Sequence, residues 1–251
     1  MKSPVLILKS PYKKPPIVEA VLAIHFSNPL EQKWIGRFAA KRKSPFYRIE
    51  DMSEISTAFN TQTQQTASNI KKVGQKISNA DGNRLIFIMP AHLAIIHLAP
   101  YQNWETLCSD ARMQWDVLVK ITKWVKVSRV SARYVNRIDI PVEQNGNVDL
   151  HNYFNAGLSL PPVDQAMTLQ EFHINSTLLH ESGKFINILQ VYNSPASLID
   201  HISITIDIDI LSNSVDITSD ELMWNSIESL RSPKNDLFES CITDKTRKLF
   251  Q

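Results

Sequence analysis

Val130–Val142, VSARYVNRIDIPV, alternates apolar and polar side chains over more than ten positions. With Arg129 in front, the odd positions carry Arg129, Ser131, Arg133, Val135, Arg137 and Asp139, and the even ones Val130, Ala132, Tyr134, Asn136, Ile138 and Ile140. A period of two belongs to a strand with one packed face, so this stretch sets one side of a sheet against a core and shows three arginines on the other. The arginines are four residues apart, roughly 13 Å per step along a strand, so they line a face and do not grip a single phosphate.

Before this stretch, Pro15-Pro16 ends a polar leader, and Ile17–Phe26 (IVEAVLAIHF) reads as a mostly buried strand with Glu19 and His25 as its polar members. Asn28 suits an N-cap, Pro29 a first helical position and Glu31 a first turn, which predicts a helix running to about Arg42. Its apolar stripe is Leu30, Trp34, Ile35 and Phe38, leaving Lys33, Arg37, Lys41, Arg42 and Lys43 outward. Four short runs follow, Tyr47–Phe59, Asn69–Ser78, Leu85–Met89 and Leu93–Leu98, and predict an antiparallel meander. Asn79–Gly82 supplies a turn, Met89-Pro90-Ala91 a break, and the Thr- and Gln-rich 61–68 an exposed connection. Trp104, Leu107, Cys108, Ala111, Trp115, Leu118, Thr122 and Val125 recur at three- and four-residue steps, predicting one long helix over 103–125.

After the alternating stretch the order of elements begins again. A turn at Gly146 and a short helix over Leu150–Ala156, capped by Asp149, precede strand-like runs at Leu169–Leu179, Lys184–Tyr192 and Ile202–Leu211. In the last run five isoleucines alternate with Ser203, Thr205, Asp207 and Asp209, which predicts a strand with one wet face. Thr218 and Glu221 form a capping box for a helix through Leu230, and Ser232-Pro233 opens a second helical segment to about Thr243. The expected class is α+β: a polar leader over 1–15 and two similar halves, 16–126 and 127–251, joined as one compact unit. Each half runs strand, helix, antiparallel strands, long helix, with the two sheets meeting edge to edge. The plan resembles a doubled TATA-binding-protein-like arrangement; that likeness is topological and implies no DNA binding, since function lies in sites.

Of 251 residues, 43% are hydrophobic and 21% charged, as in ordinary globular proteins. The net charge of +2, from 27 basic and 25 acidic residues, excludes the broad positive field of a strongly basic nucleic-acid binder, so any basic site is local. Cys108 and Cys241 both fall in helical patterns, as buried thiols of a reducing compartment do. The N-terminal apolar run is too short for a signal-peptide core, and no window approaches the roughly 18 apolar residues of a membrane span. A cytoplasmic protein with no membrane contact is expected.

The six glycines compose neither a Gly-x-Ser-x-Gly elbow nor a phosphate-cradling loop, so those enzyme classes are excluded in their recognisable forms and no cofactor is expected. Glu171, His173, His180 and Glu181 match no zinc spacing. Asp139, Asp207 and Asp209 could form a metal-binding cluster, but alternation on wet strand faces explains them without a ligand. A metal-dependent enzyme is therefore the third reading. Arg129, Arg133 and Arg137, combined with the basic helix residues Arg37, Lys41 and Arg42, make the candidate nucleic-acid surface, with salt-sensitive binding. No aromatic residues interleave with these arginines as stacking platforms would. Pairing with Glu19, Asp139, Asp207 or Asp209 across the sheet accounts for them more simply.

Pro15-Pro16-Ile17-Val18-Glu19-Ala20, Arg133-Tyr134-Val135-Asn136-Arg137-Ile138-Asp139-Ile140-Pro141 and the tail Leu237-Phe238-Glu239 to Ile242-Thr243 together resemble a family of uncharacterised, sporadically distributed bacterial proteins of about this length. The resemblance covers nearly the whole chain and implies no particular activity or site residues. Sporadic distribution implies carriage on mobile-element or antiviral defence islands. The expected function is a non-enzymatic binding or adaptor protein that works through protein contacts on the saddle of the joined sheets, with a protein partner encoded nearby; the alternative is a nucleic-acid-binding module on the Arg face.

Overall fold

The computed structural model describes residues 12–142, 148–156, 170–213 and 217–251. Among them, nine strands form one sheet: β1 Ile17–Phe26, β2 Arg48–Asn60, β3 Gln65–Ser78, β4 Arg84–Ile88, β5 His92–Leu98, β6 Val127–Pro141, β7 His173–Leu179, β8 Phe185–Ser194 and β9 His201–Ser212. Their order is β2-β3-β4-β5-β1-β6-β9-β8-β7, and every neighbouring pair is antiparallel. The helices are α1 Gln32–Lys41, α2 Trp104–Thr122, α3 Asp220–Ser229, α4 Arg231–Cys241 and α5 Asp244–Lys248. The chain is thus α+β, and none of the described helices is long and apolar enough to cross a membrane.

The alternating stretch became an interior strand, β6, bonded to β1 on one side and β9 on the other. Its even members Val130, Ala132, Tyr134, Ile138 and Ile140 are buried with Leu22 and Ile24 of β1, Ile95 of β5 and Ile204, Ile206, Ile208 and Ile210 of β9. Helices cover that face: α2 brings Leu107, Ala111, Trp115 and Leu118 to it, and α3 brings Met223 and Ile227. Two indoles tie the helices together, Trp104 donating to Glu228 at 2.9 Å and Trp115 to Asp220 at 2.7 Å. The odd members face a side of the sheet on which no described helix lies.

The meander is as predicted, with Gly82 at φ +71° in its turn, a left-handed conformation that glycine adopts without strain. Several boundaries move. α1 starts at Gln32 with Glu31 as N-cap, not at Asn28-Pro29, because the preceding segment is held extended: Ser27 donates to the Lys126 carbonyl at 2.8 Å and Leu30 to that of Pro90 at 2.8 Å. The Thr- and Gln-rich connection shrinks to a turn at 61–64, since β3 already begins at Gln65 and pairs back onto β2. Ser219, not Thr218, caps α3, accepting from the Leu222 amide at 3.2 Å, and α4 follows at once from Arg231. The short helix after Asp149 is a single 3₁₀ turn, Leu150–Asn152. The expected Gly146 turn, Leu169 and most of the polar leader lie outside the described residues.

The wet face predicted for β9 is not wet. Ser203, Thr205 and Asp207 are all buried, because β6 and β8 crowd them from both sides. Alternation identified the two faces correctly and misjudged how far water reaches one of them.

Candidate functional site

The helix-free face carries a broad cleft of about 750 Å³ over β6, β9, β8 and β7. Arg133 and Asp207 form its floor, Gln190 and Tyr192 rise from β8, and His173 and Glu171 close the far side. Register places Arg133 opposite Asp209, yet its guanidinium forks diagonally onto Asp207: Nε lies 2.9 Å from Oδ1 and Nη2 2.6 Å from Oδ2. Asp207 is buried, so this bidentate pair neutralises a charge that solvent cannot. His173 meets the Gln190 side-chain oxygen at 3.0 Å and packs its ring on Tyr192.

Asp209 is left over. Its Oδ1 is buried with no hydrogen-bond partner among the described residues, and burial, aided by the neighbouring Asp207 charge, pushes its carboxyl up to about 6 against the pull of Arg133 and Arg129. Arg137 stands 3.6 Å from Asp139, which in turn accepts the Ser203 hydroxyl. Arg129 is exposed at the end of the row, near His25, whose imidazole burial holds down to about 4 with help from Arg129 and His92. The arginines therefore share one face, as the alternation required, but the central one is spent on an internal carboxylate.

The other basic residues are elsewhere. α1 packs on the helix-covered face, so Arg37, Lys41 and Arg42 lie across the sheet from the Arg row and the two groups do not combine into one surface. Arg42 is consumed locally, bonding the carbonyls of Ala39, Phe46 and Tyr47 at 2.8, 3.0 and 2.8 Å, and Arg37 stacks 5.0 Å over the Trp34 ring. The aspartates do not assemble either: Asp207 is on Arg133, and Asp139 pairs in register with Ser203, four residues down the strand from Asp207. Glu171 and His173 line the cleft, but His180 sits in the β7–β8 turn bonded to Ser182 at 2.9 Å. No group of three His, Cys, Asp or Glu side chains able to hold a metal occurs among the described residues.

A second surface was not singled out in the sequence. β3 pairs with β4 only over Gln75–Ser78, while its pairing with β2 continues for another ten residues of β3, from Gly74 to Gln65. The hairpin therefore leaves the sheet and projects as a two-stranded arm. It departs at a register shift after Met52, opposite Gly74, where a Cβ would lie 2.6 Å from the Ile88 carbonyl oxygen; only glycine allows that approach. On the arm Ile55 pairs across to Ile70, Thr57 to Ser68 and Phe59 to Thr66, so these side chains share one face. Ile55 and Ile70 are each 67% exposed and Phe59 61%. The only sequence signal was weak, three apolar residues spaced along a polar, β-branched run.

No family model matches the chain. No curated protein matches it. Among solved structures it is similar to the crystal structure of DynU16, a protein of the dynemicin biosynthetic locus, at 7% identity over 87% of this chain and 98% of that one, with a TM-score of 0.19. A score so low carries no argument about fold or function.

Proposed function

We propose that the chain is a non-enzymatic binding protein that acts through protein–protein contacts, its partner a protein encoded nearby on a mobile or defence locus, and that the β2–β3 arm is the contact element. The arm carries the reading. A two-stranded hairpin is at best marginally stable alone in water, and this one holds three large apolar side chains in solvent on one face. Beyond Lys72, whose carbonyl takes the Gln32 side-chain amide, neither outer edge of the arm pairs with a further strand among the described residues, so a partner chain can add a strand and cover the Ile55, Phe59 and Ile70 stripe together. The helix-free face is a poorer contact surface, because its central cation, Arg133, is already held by Asp207. The finer fold reading, two TATA-binding-protein-like halves at 16–126 and 127–251, is supported by the strand order: the first strands β1 and β6 lie side by side, flanked by the last strands β5 and β9.

The test uses the full chain co-expressed with each product of its neighbouring genes. One product is expected to form a stoichiometric complex that the triple variant Ile55→Ser, Phe59→Ser, Ile70→Ser weakens by about 100-fold, the loss of a small cluster of anchors. A complex unchanged in the triple variant, or none with any neighbour, overturns the reading. Concentration-dependent dimers lost in the variant would instead assign the arm to self-association.

A further inference from the structure

Lys234 lies in the first turn of α4 and is only 8% exposed. Its ammonium contacts the Asn235 side-chain oxygen at 2.5 Å and stands 4.0 Å over the centre of the Tyr134 ring. No carboxylate is among the groups that act on it: burial pushes the amine down to about 8, and Arg231 on the same helix pushes the same way. A buried cation without a counter-charge is costly, and one oxygen and one ring face leave its donors under-used.

Beside it is a cavity of about 120 Å³ on the helix-covered side, walled by Pro16, Ile17, Tyr134, Ile208 and Phe238. The polar atoms on its far side are committed. Tyr12 donates to Glu239 at 2.7 Å, Glu239 also takes the Arg247 guanidinium at 2.9 Å, and the Asn136 amide donates to the Tyr134 and Ile206 carbonyls. The space thus offers an apolar body, a carboxylate already held by Arg247 and one ammonium without an opposite charge. Three stretches far apart in sequence, around Pro16, Tyr134 and Phe238, meet here, and they are the ones that carry the family resemblance.

We propose that this cavity binds a small monocarboxylate with a short hydrocarbon body, its carboxylate paired with the Lys234 ammonium. The anion supplies the counter-charge that the chain withholds, and its hydrocarbon part covers the apolar walls. A phosphate is disfavoured: a single ammonium with no second cation lining the cavity suits one negative charge. This proposal goes beyond the protein-contact reading and does not depend on it.

Titration calorimetry on the full chain, with the straight-chain acids from acetate to hexanoate and the matching amides as neutral controls, tests it. At least one acid is expected to bind at pH 7 while its amide does not. The tyrosines nearby, Tyr12, Tyr101 and Tyr134, are all pushed above their ordinary range by burial, so Lys234 is the group that loses charge between pH 7 and 9.5. Affinity should therefore fall towards tenfold per pH unit above about 8. Lys234→Met should abolish acid binding and raise the melting temperature of the ligand-free protein, since a buried uncompensated charge is replaced by an uncharged, apolar thioether chain of similar length. Absence of binding by every acid, equal binding of acid and amide, or acid binding unchanged in Lys234→Met overturns the proposal. Should that variant not fold, the acid-against-amide comparison and the pH profile of the wild-type chain decide alone.

Discussion

The β2–β3 arm and the β6–β9 seam are both antiparallel pairs with alternating side chains, yet they meet opposite fates. In the seam, β6 and β9 have strands on both sides and helices on one face, so even their polar members Ser203, Thr205 and Asp207 are buried. Past Gly74 no third strand pairs with the arm, and the start of α1 reaches it only at Lys72, whose carbonyl takes the Gln32 side-chain amide at 3.3 Å, so even Ile55 and Phe59 are in solvent. Position in the sheet, more than the local pattern, sets how much each residue contributes. Buried polar groups must then find partners inside the protein, as Asp207 finds Arg133, and exposed apolar groups must find them outside.

Substitutions can break or sharpen that contrast. The largest effect is expected at Ile208, fully buried in the seam, where Ile208→Ala should cost about 3 kcal/mol in urea denaturation; a loss under 1 kcal/mol would mean the seam is packed no better than the arm. Next is Arg133→Met, which strands the buried Asp207. A cost of about 2 kcal/mol is expected, below that of a fully buried pair because the Arg133 side chain is 44% exposed and water can replace it in part. At the junction, Gly74→Ala drives a methyl group against the Ile88 carbonyl and should cost about 1 to 2 kcal/mol.

Asp209 separates the regions by pH. Its folded carboxyl keeps a proton up to about 6, while the unfolded chain releases it near 3.8, so the folded state binds more protons across that window. The seam's contribution to stability is then full below the lower value and falls as pH rises through about 6. Asp209→Asn should flatten this fall and stabilise the protein more at pH 7 than at pH 4, read by thermal melts at both. The smallest effect belongs to the arm: Ile55→Ser with Phe59→Ser should change stability by about 0.5 kcal/mol or less while removing partner binding. A large stability loss there would show that the arm folds onto the body of the chain.

Most of the sheet was legible because strands announce themselves by neighbours two residues apart. The meander, β6, β9 and α2 follow from period-two and three-four patterns, and the misplaced start of α1 came from distant carbonyls of Pro90 and Lys126 outbidding a local Pro-based signal. The Arg row on one strand face was readable for the same reason. Its pairing was half-readable, since Asp207 stood among the candidate partners but lies diagonally and not in register with Arg133. Lys234 gave no sign, because a lysine after Ser-Pro at a helix start reads as a solvated residue.

By itself the sequence determined the class of fold, most of the succession of strands and helices, though not α5, and the faces of β6 and β9 on which their charges stand, all of which depend on contacts within a few residues. Only the tertiary structure decided that Arg133 is cancelled, that Arg37, Lys41 and Arg42 lie across the sheet from it, that the β2–β3 arm is uncovered and that Lys234 borders a cavity. Those outcomes depend on which distant elements exclude water from a given side chain, and solvent exclusion is a property of the packed whole that no local period encodes.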